Sequence, residues 1–457
     1  MDYVEAVKSK IPGGSCHVVA MPYPGRGHIN PMMNLCKLLA CREDGDLLIT
    51  FVVTEEWLGF LSSDPKPANI RLRSIPNVIP SENGRAGNFL GFLEAVMTKM
   101  EDPFEQLLDQ LEIAATAIIT DHYLKWAIAV ANRRNIPVAS LCTLSPSVFS
   151  AVCQFELLEQ NGHFPLDSSE KGDESMSCIP GISSICLANL PEGFINGPSR
   201  KSLVSFSWVV DKSQWLLLTS FYELNTQATE DLKTRLLIPV YTVGPSIPHM
   251  TLENPTDSND DYMKWLDSQS KGSVLYVSLG SFLSVSGAQM DEIAQGLHDS
   301  GVPFMWVARQ DSSRLQKVCG DKGMVIPWCD QLRVLCRSSL GGFLTHCGWN
   351  SILEAVFAGV PILAFPLVWD QIPNCEFIAD DLRIGWRVKK EVGIDKLVTR
   401  EDIARTVISF MDSNEEESKE MRRRARELQD VCRRAIEKGG SSESNLDAFV
   451  REILQHH

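Results

Sequence analysis

The sequence has no long apolar run and little positive charge. Its longest apolar stretch, Gly359 to Trp369, has 11 residues and contains two prolines, whereas a membrane-spanning helix needs about 20 apolar residues. The N-terminus carries charge where a signal peptide would be apolar. With 43 Lys and Arg against 58 Asp and Glu, the net charge is −15, which disfavours binding to nucleic acid or anionic membranes. We therefore expect a cytoplasmic protein with no membrane span and no nucleic-acid partner.

Cysteine is present, but not in the arrangements that disulfide scaffolds or zinc sites use. The 13 cysteines are scattered along the chain and include no C-x-x-C pair, which is typical of reduced, buried thiols in a large cytosolic protein. The nearest approach to a metal-ligand pattern is Cys329, Cys336, His346 and Cys347, and its spacing fits no zinc template. No metal site is predicted there.

Short apolar runs alternate with amphipathic stretches throughout the sequence. These runs are almost continuously apolar, as expected of parallel strands that are buried on both faces. They include Cys16–Met21, Leu47–Thr54, Ala117–Thr120, Val138–Leu141, Trp215–Phe221, Ser273–Leu279, Phe304–Ala308, Gly342–Thr345 and Pro361–Phe365. Stretches with helical periodicity, such as Ile29–Leu39, lie between them. This alternation predicts an α/β fold in which helices cover parallel sheets.

A break in this pattern divides the chain. The stretch from Gly244 to Asp261 has three prolines and a polar run but no periodicity, which is typical of an interdomain linker. We predict an N-terminal domain over residues 1–244, a linker over 245–261 and a C-terminal domain over 262–438. Residues 439–457 are predicted to form a last helix that packs back on the N-terminal domain, because its apolar positions need a surface to cover.

The first candidate site directly follows the first apolar run. Gly25 and Gly27 allow a tight turn, and His28 lies at the start of the next helix. A helix N-terminus favours the neutral imidazole, which could act as a base, although an isolated histidine of this kind is more often a capping or packing residue. Asp121, at the end of another apolar run, is a candidate partner for fixing the tautomer of His28; its structural alternative is a helix cap.

The strongest signal lies between Trp328 and Gln371. An apolar run ends at His346, a glycine-containing turn follows, and a helix is predicted to start at about Asn350-Ser351. Free N–H groups at a helix start, with a histidine and a hydroxyl beside them, suit a phosphate or pyrophosphate.

Other residues of the same segment could bind the remaining parts of a nucleotide sugar. Glu354, one turn into the helix, could accept hydrogen bonds from ribose, and Trp328 could stack on a planar base. Asp370 and Gln371 could bind a polyhydroxylated group. Each has a structural alternative, such as core packing for Trp328 and Trp349 or a solvated helix face for Glu354. Together they form a complete set of contacts for a nucleotide sugar.

The segment Trp328–Gln371 resembles the signature box of the plant UDP-dependent glycosyltransferases of small molecules, which belong to family 1. The likeness covers nearly the whole chain and includes Gly27–Pro31, Asp121–Trp126, Tyr276–Ser281 and Gly440–Leu446. The resemblance implies the GT-B fold, in which two Rossmann-like domains face each other across a cleft. It also implies inverting transfer of a hexosyl group from a UDP-sugar to a hydroxyl or carboxyl of a small lipophilic acceptor.

The resemblance also assigns roles to individual residues. His28 would be the general base and Asp121 its partner, and Gln371 is typical of members that use UDP-glucose. Thr143 matches the N-domain residue that reaches the sugar. The full set of residues implied in donor binding is Gly280, Ser281, Trp328, Cys329, Gln331, His346, Gly348, Trp349, Asn350, Ser351, Glu354, Asp370, Gln371 and Thr143. Three departures from the family pattern are Cys329-Asp330 in place of Ala-Pro, Arg337 in place of His and Arg26 in place of Gln.

No catalytic metal and no cofactor besides the co-substrate UDP-glucose are expected. The stretch Asp44–Asp46 matches an Asp-x-Asp metal motif in its letters, but we interpret it as a polar turn. A Rossmann dehydrogenase would need a G-x-G-x-x-G sequence that the chain lacks. The alternative that stays open is a non-catalytic UDP-sugar-binding protein of the same fold. The chain is expected to be a monomer, with an acceptor pocket lined by aromatic residues including Tyr23, Phe89, Phe92, Phe149 and Phe194.

Overall fold

Two wholly parallel β-sheets form the framework of the computed structural model. The structure describes residues 16–42, 47–82, 88–160, 212–252, 260–280, 285–309, 312–388 and 397–455. The first sheet has seven strands and the second has six, and helices lie between most successive strands. The α/β architecture that the alternating pattern predicts is therefore confirmed.

The first sheet contains the strands of the N-terminal half, in the order β3-β2-β1-β4-β5-β6-β7. They are β1 (His17–Met21), β2 (Leu48–Thr54), β3 (Ile70–Ile75), β4 (Ala117–Asp121), β5 (Val138–Cys142), β6 (Trp215–Leu218) and β7 (Val240–Thr242). The helices are α1 (Arg26–Ala40), α2 (Glu55–Leu61), α3 (Phe89–Lys99), α4 (Glu101–Asp109), α5 (Lys125–Arg133), α6 (Pro146–Gln160) and α7 (Thr226–Arg235). The interior strands β1, β4, β5 and β6 are buried along their whole length.

The second sheet has the order β10-β9-β8-β11-β12-β13. Its strands are β8 (Val274–Ser278), β9 (Phe304–Val307), β10 (Gly323–Ile326), β11 (Leu340–Thr345), β12 (Ile362–Ala364) and β13 (Gly385–Arg387). The helices are α8 (Asp261–Asp267), α9 (Gly287–Ser300), α10 (Ser312–Cys319), α11 (Gln331–Leu335), α12 (Trp349–Ala358), α13 (Gln371–Glu376), α14 (Arg400–Met411), α15 (Glu416–Ile436) and α16 (Ser441–Gln455). A π-helical turn, Phe377–Asp381, continues α13.

The strand order of each sheet changes direction once, and these two points locate the candidate sites. In the first sheet the change falls between β1 and β4, and in the second it falls between β8 and β11. Loops that leave the carboxyl ends of such neighbouring strands run to opposite faces, so a crevice opens between them. His28 follows β1 and Asp121 ends β4, whereas Gly280 follows β8 and His346 follows β11.

The last helix, α16, packs against the first sheet. Leu446, Phe449, Val450 and Ile453 join the apolar core beneath that sheet. Glu452 accepts hydrogen bonds from Trp215 Nε1 and from Tyr241 Oη. The predicted linker, residues 245–261, lies between β7 and α8, and its residues 253–259 are outside the described part of the chain.

The sequence-based assignment omits four strands, and all four are sheet edges. β3 and β7 bound the first sheet, and β10 and β13 bound the second. Each is only partly buried, and β3 alternates apolar residues with Arg71 and Arg73. Edge strands do not need an uninterrupted apolar run because one side of each strand meets solvent or loops. Among the described residues, no helix is both long enough and apolar enough to cross a bilayer.

Candidate active site

His28 and Asp121 form a hydrogen-bonded pair at the first crevice. His28 lies in the first turn of α1, and its Nδ1 is 2.7 Å from Asp121 Oδ2. Asp121 is fully buried, while 23% of the His28 side chain is exposed. Because an ionised carboxylate only accepts hydrogen bonds, His28 Nδ1 carries the proton and the lone pair of the neutral ring is on Nε2.

Asp121 stays ionised in spite of its burial. Burial alone would raise its pKa, but the charge and hydrogen bond of His28, together with His122 and the Tyr123 amide, hold the pKa below its ordinary value. The backbone N–H of Tyr123 donates to Oδ1 at 3.0 Å. On the same side, His122 Nδ1 lies 3.5 Å from Oδ1, and burial lowers the pKa of His122 to about 4.

Thr143 and several aromatic rings surround the pair. Thr143, which follows β5, has its hydroxyl 3.0 Å from His28 Nδ1. The rings of Tyr23 and Tyr123 lie 4.9 and 5.6 Å from the imidazole, and Phe92 lies 6.0 Å from Tyr23. Tyr23 and Tyr123 thus pack against the His28 ring, and Phe92 packs against Tyr23.

The other aromatic residues predicted for the acceptor pocket are distributed differently. Phe89 contacts Trp369 of the second half at 5.2 Å between ring centres. Phe149 is fully buried and meets His122 edge-on at 5.7 Å, so it supports the site from behind. Phe194 is outside the described residues.

His346 is enclosed by two glycines at the second crevice. A Cβ atom at Gly280 or at Gly348 would come within 2.6 Å of His346 Nε2, so only glycine fits at either position. Gly280 also has a φ of +87°, in the left-handed region that favours glycine. Burial lowers the pKa of His346 to about 4, so the ring is neutral near pH 7. Ser281, the other residue predicted in this loop, is outside the described residues.

The helix after this turn, α12, begins at Trp349, one residue before the predicted start. The Trp349 indole is 3% exposed and belongs to the core of the second half, so the backbone is the part of this residue that could meet a ligand. Asn350 Nδ2 donates to the carbonyl oxygen of Gly27 at 2.8 Å. This hydrogen bond connects helix α12 to the residue before His28. Ser351 Oγ lies 3.2 Å from Gln331 Nε2.

Trp328, Gln331 and Glu354 lie around the start of α11. Trp328 is 59% exposed, so its indole is available for stacking, whereas Cys329 is buried against the Tyr276 hydroxyl at 3.3 Å. Gln331 accepts from the Tyr276 hydroxyl at 3.1 Å and donates to Glu354. Gln331 therefore holds Glu354 in place. Burial raises the pKa of Glu354 to about 7.

Asp370 and Gln371 lie at the start of α13, opposite His28. Gln371 Oε1 accepts from the backbone N–H groups of Leu367 and Val368 at 2.9 and 3.1 Å, so its amide nitrogen is the group left to donate. Burial raises the pKa of Asp370 to about 6, and the charge of His28 is close enough to lower it in part. The two halves of the site therefore meet across the cleft.

The family comparison decides what this arrangement is. Residues 248–413 match the family model described as UDP-glucoronosyl and UDP-glucosyl transferase. UDP-glycosyltransferase 87A1 of Arabidopsis thaliana is 48% identical to this chain over 95% of the chain and 100% of its own length. UDP-glycosyltransferase 87A2 of the same plant is 49% identical over 96% of each chain. The chain belongs to the family 1 plant UDP-glycosyltransferases.

A solved structure agrees with the fold of this glycosyltransferase. Phytolacca americana UGT2, complexed with UDP-2fluoro-glucose and pterostilbene, aligns with a TM-score of 0.78 at 25% identity over 97% of this chain and 100% of its own. The two parallel sheets are thus the two domains of the GT-B fold, as the resemblance implies. The family membership establishes a UDP-sugar as the donor of this glycosyltransferase.

Two features of the glycosyltransferase site escaped the sequence analysis. His122 contacts the carboxylate of Asp121, but a buried histidine next to an aspartate has no spacing signal of its own. Asn374 contacts Asp370 at 3.0 Å, and the i, i+4 spacing of the two residues could have indicated this contact. Among the described residues, no three His, Cys, Asp or Glu side chains come together as metal ligands, and Asp44–Asp46 is outside that part of the chain.

Proposed function

We propose that this glycosyltransferase transfers glucose from UDP-glucose, with inversion, to a hydroxyl or carboxyl of a small lipophilic acceptor. The observation that carries the proposal is the contact of 2.7 Å between His28 Nδ1 and the buried Asp121 carboxylate. This contact leaves Nε2 of a partly exposed imidazole able to take a proton. General-base assistance of this kind typically contributes about 10²–10⁴-fold in rate.

The donor would bind at the second crevice. The N–H groups at the start of α12 and the His346 ring would face the diphosphate, where they stabilise the negative charge that develops on the leaving UDP. Glu354 would bind the ribose, Trp328 the uracil, and Asp370 and Gln371 the sugar. Thr143 would reach the sugar from the side of His28.

The reaction would be a single displacement. The acceptor proton moves to His28 Nε2, the acceptor oxygen forms a bond to the anomeric carbon, and the bond from that carbon to the diphosphate oxygen breaks. Attack from the face opposite to the leaving UDP inverts the anomeric centre. We propose that no divalent cation takes part.

The walls of the first crevice support an acceptor with an apolar, flat body. Tyr23 and Tyr123 pack against the His28 ring, and Phe92 extends this aromatic cluster through its contact with Tyr23. Such surfaces favour rings that stack or meet them edge-on. The aromatic acceptor pterostilbene in the Phytolacca americana complex agrees with this acceptor class.

The decisive experiment measures UDP release from UDP-glucose, with and without EDTA, across phenolics, terpenoid alcohols and plant hormones. We expect acceptor-dependent release that EDTA does not change. His28→Ala should reduce this release by about 10²–10⁴-fold while UDP affinity stays nearly the same. NMR of the product should give the anomer opposite to that of the donor.

Three outcomes would contradict parts of the proposal. UDP-glucose binding without release for any acceptor would favour a non-catalytic binding protein. Loss of release in EDTA, restored by a divalent cation, would contradict the metal-free reaction. An equal loss of UDP binding and release in His28→Ala would contradict the base assignment.

A further inference from the structure

Asn374 is a fully buried amide that joins two parts of the donor site. It lies in α13, three residues after Gln371, and its side chain is completely shielded from solvent. Nδ2 donates one hydrogen bond to the backbone oxygen of Cys347 at 3.1 Å and another to Asp370 Oδ2 at 3.0 Å. Both protons of the amide group are therefore used, one on each partner.

The first partner is a strained position in the turn before α12. Cys347 has a φ of +67°, a left-handed conformation that costs energy for a residue with a Cβ atom. Cys347 lies between His346 and Gly348, the residues that shape the diphosphate side of the site. The hydrogen bond from Asn374 fixes the direction of the Cys347 carbonyl, and so it helps to hold this turn.

The second partner is the carboxyl group nearest to the proposed sugar position. We propose that Asn374 is a positioning residue that holds the Asp370 carboxyl group fixed relative to the Cys347 turn during sugar transfer. The inference rests on the proposed assignment of Asp370 to the donor sugar. Asn374 acts only through Asp370 and Cys347.

The charges around Asp370 give the inference a pH signature. Burial raises its pKa, whereas the Asn374 hydrogen bond and the charge of His28 lower it. Tyr123, Cys142 and Cys347 also face Asp370, but burial raises their pKa values well above the ordinary range and keeps them neutral. The backbone N–H of Asp370 itself also favours the carboxylate, and Asn374 is the uncharged side chain that does so. Removal of Asn374 should therefore raise the pKa of Asp370.

The test measures kcat and KM for UDP-glucose from pH 5.5 to 9 in the full-length enzyme and in Asn374→Ala. At pH 7 we expect kcat/KM to fall by about 10- to 100-fold, the usual effect of losing one hydrogen bond to a charged group. The acidic limb of the plot of kcat/KM against pH should move to higher pH by about one unit, so that kcat/KM partly recovers at pH 8.5. UDP lacks the sugar but binds at the same turn, so its affinity should fall by a clearly smaller factor than kcat/KM.

A matched control separates positioning from folding. Gln289 is also a buried amide with two backbone partners, since it exchanges hydrogen bonds with Val398 at 3.0 and 2.8 Å, but it lies outside the donor site. Gln289→Ala should lower the melting temperature and leave the pH profile in place. If Asn374→Ala does not fold, Asn374→Ser, which retains one donor, is measured instead, and the same direction of shift is expected.

The Asp370→Asn background distinguishes this inference from the proposed function. Without a carboxyl group to titrate, replacing Asn374 should no longer move the acidic limb. An unmoved limb in the single Asn374 variant, or a loss of UDP binding as large as the loss of transfer, would overturn the positioning role alone. Unchanged kcat and KM in Asp370→Asn would instead overturn the sugar assignment, and the inference with it.

Discussion

At the scale of single residues, three carboxyl groups of the site differ because their surroundings differ. Asp121 is fully buried but receives hydrogen bonds from His28 and the Tyr123 amide, so its pKa is low. Burial raises the pKa of Glu354, which receives a hydrogen bond from the Gln331 amide, to about 7. It raises the pKa of Asp370 to about 6 although the Asn374 amide and the Asp370 backbone N–H donate to this carboxyl, because these groups are neutral whereas Asp121 is paired with a histidine. The balance between desolvation and hydrogen bonding thus gives each carboxyl a different charge near neutral pH.

Asp121→Asn tests the tautomer of the base. The amide oxygen of the new side chain should accept from the Tyr123 N–H, which turns its NH₂ group toward His28 Nδ1. His28 would then carry its proton on Nε2 and could not take one from the acceptor. We expect kcat to fall by about 10²–10⁴-fold with KM for UDP-glucose nearly unchanged, as measured by steady-state kinetics. A kcat within threefold of the parent enzyme would contradict this arrangement.

The proposed contact of Glu354 with the ribose predicts that donor binding depends on pH. A pKa of about 7 means that Glu354 is mostly protonated at pH 6 and mostly ionised at pH 8, and the ionised form would accept hydrogen bonds from both ribose hydroxyls. UDP-glucose should therefore bind more tightly as the pH rises from 6 to 8, with release of a proton that calorimetry in buffers of different ionisation enthalpy can detect. Binding to Glu354→Gln should be weaker at pH 8 and should change less between pH 6 and 8 than binding to the parent enzyme. The same pH dependence in the variant would contradict the role of Glu354.

At the scale of elements, both halves of the site use the same construction. A buried strand ends, a short turn with glycine follows, and a helix begins within five residues: Met21 to Arg26 in one half and Thr345 to Trp349 in the other. The two turns lie where the strand order changes direction, so His28 and the turn at residues 346–348 open into crevices. The two glycines have different roles: Gly348 leaves space for the His346 imidazole, whereas Gly27 lies in contact with helix α12.

Gly348→Ala tests the steric requirement at the donor turn. The added methyl group would lie 2.6 Å from His346 Nε2, so the imidazole or the turn must move. UDP affinity should fall by about tenfold or more, because misplaced hydrogen-bond donors lose more than 1.4 kcal/mol. Gly287→Ala is the matched control: Gly287 also lies at the start of a helix, and a Cβ atom there meets nothing within 4 Å. Equal UDP affinities for the two variants, measured by calorimetry, would contradict this account.

At the scale of the whole molecule, contacts between distant parts of the chain hold the site together. Asn350 bonds to Gly27, Phe89 meets Trp369, and Asn34 Nδ2 donates to the Ser246 carbonyl at 3.1 Å. The helix α16 returns from the end of the chain to the first sheet, where Arg42 forms an ion pair with Glu443. The placement of His28 relative to the turn at residues 346–348 therefore depends on how the two sheets are positioned against each other.

Phe449→Ala tests how far the last helix supports the first sheet. Phe449 is fully buried and contacts Trp215 edge-on at 5.8 Å. Truncating a buried phenylalanine costs about 3–5 kcal/mol, so calorimetry should give a lower melting transition. UDP binding below that transition should be retained, because the donor residues lie in the second half. Leu237→Ala, at a fully exposed position, should leave the transition unchanged. An unchanged melting temperature in Phe449→Ala would mean that α16 contributes little to the stability of the first sheet.

The sequence by itself determined the fold class and the composition of the site. Buried interior strands must be continuously apolar, so β1, β4, β8 and β11 could be found without coordinates. The histidine, the carboxylate and the glycine-rich turn were visible because each follows an apolar run. The edge strands were not visible, since partial exposure removes the pattern by which strands are detected.

Only the tertiary structure decided which of these residues touch. The sequence separates His28 from Asp121 by 93 positions and from Thr143 by 115, and no local pattern encodes a contact over that distance. It could not separate the exposed indole of Trp328 from the buried one of Trp349, because each lies a few residues after a strand and its exposure depends on what packs against it in the fold. Nor could it assign pKa values to Glu354 and Asp370. Burial, hydrogen bonding and charge act through space, so these properties arise only when the two sheets and α16 have come together.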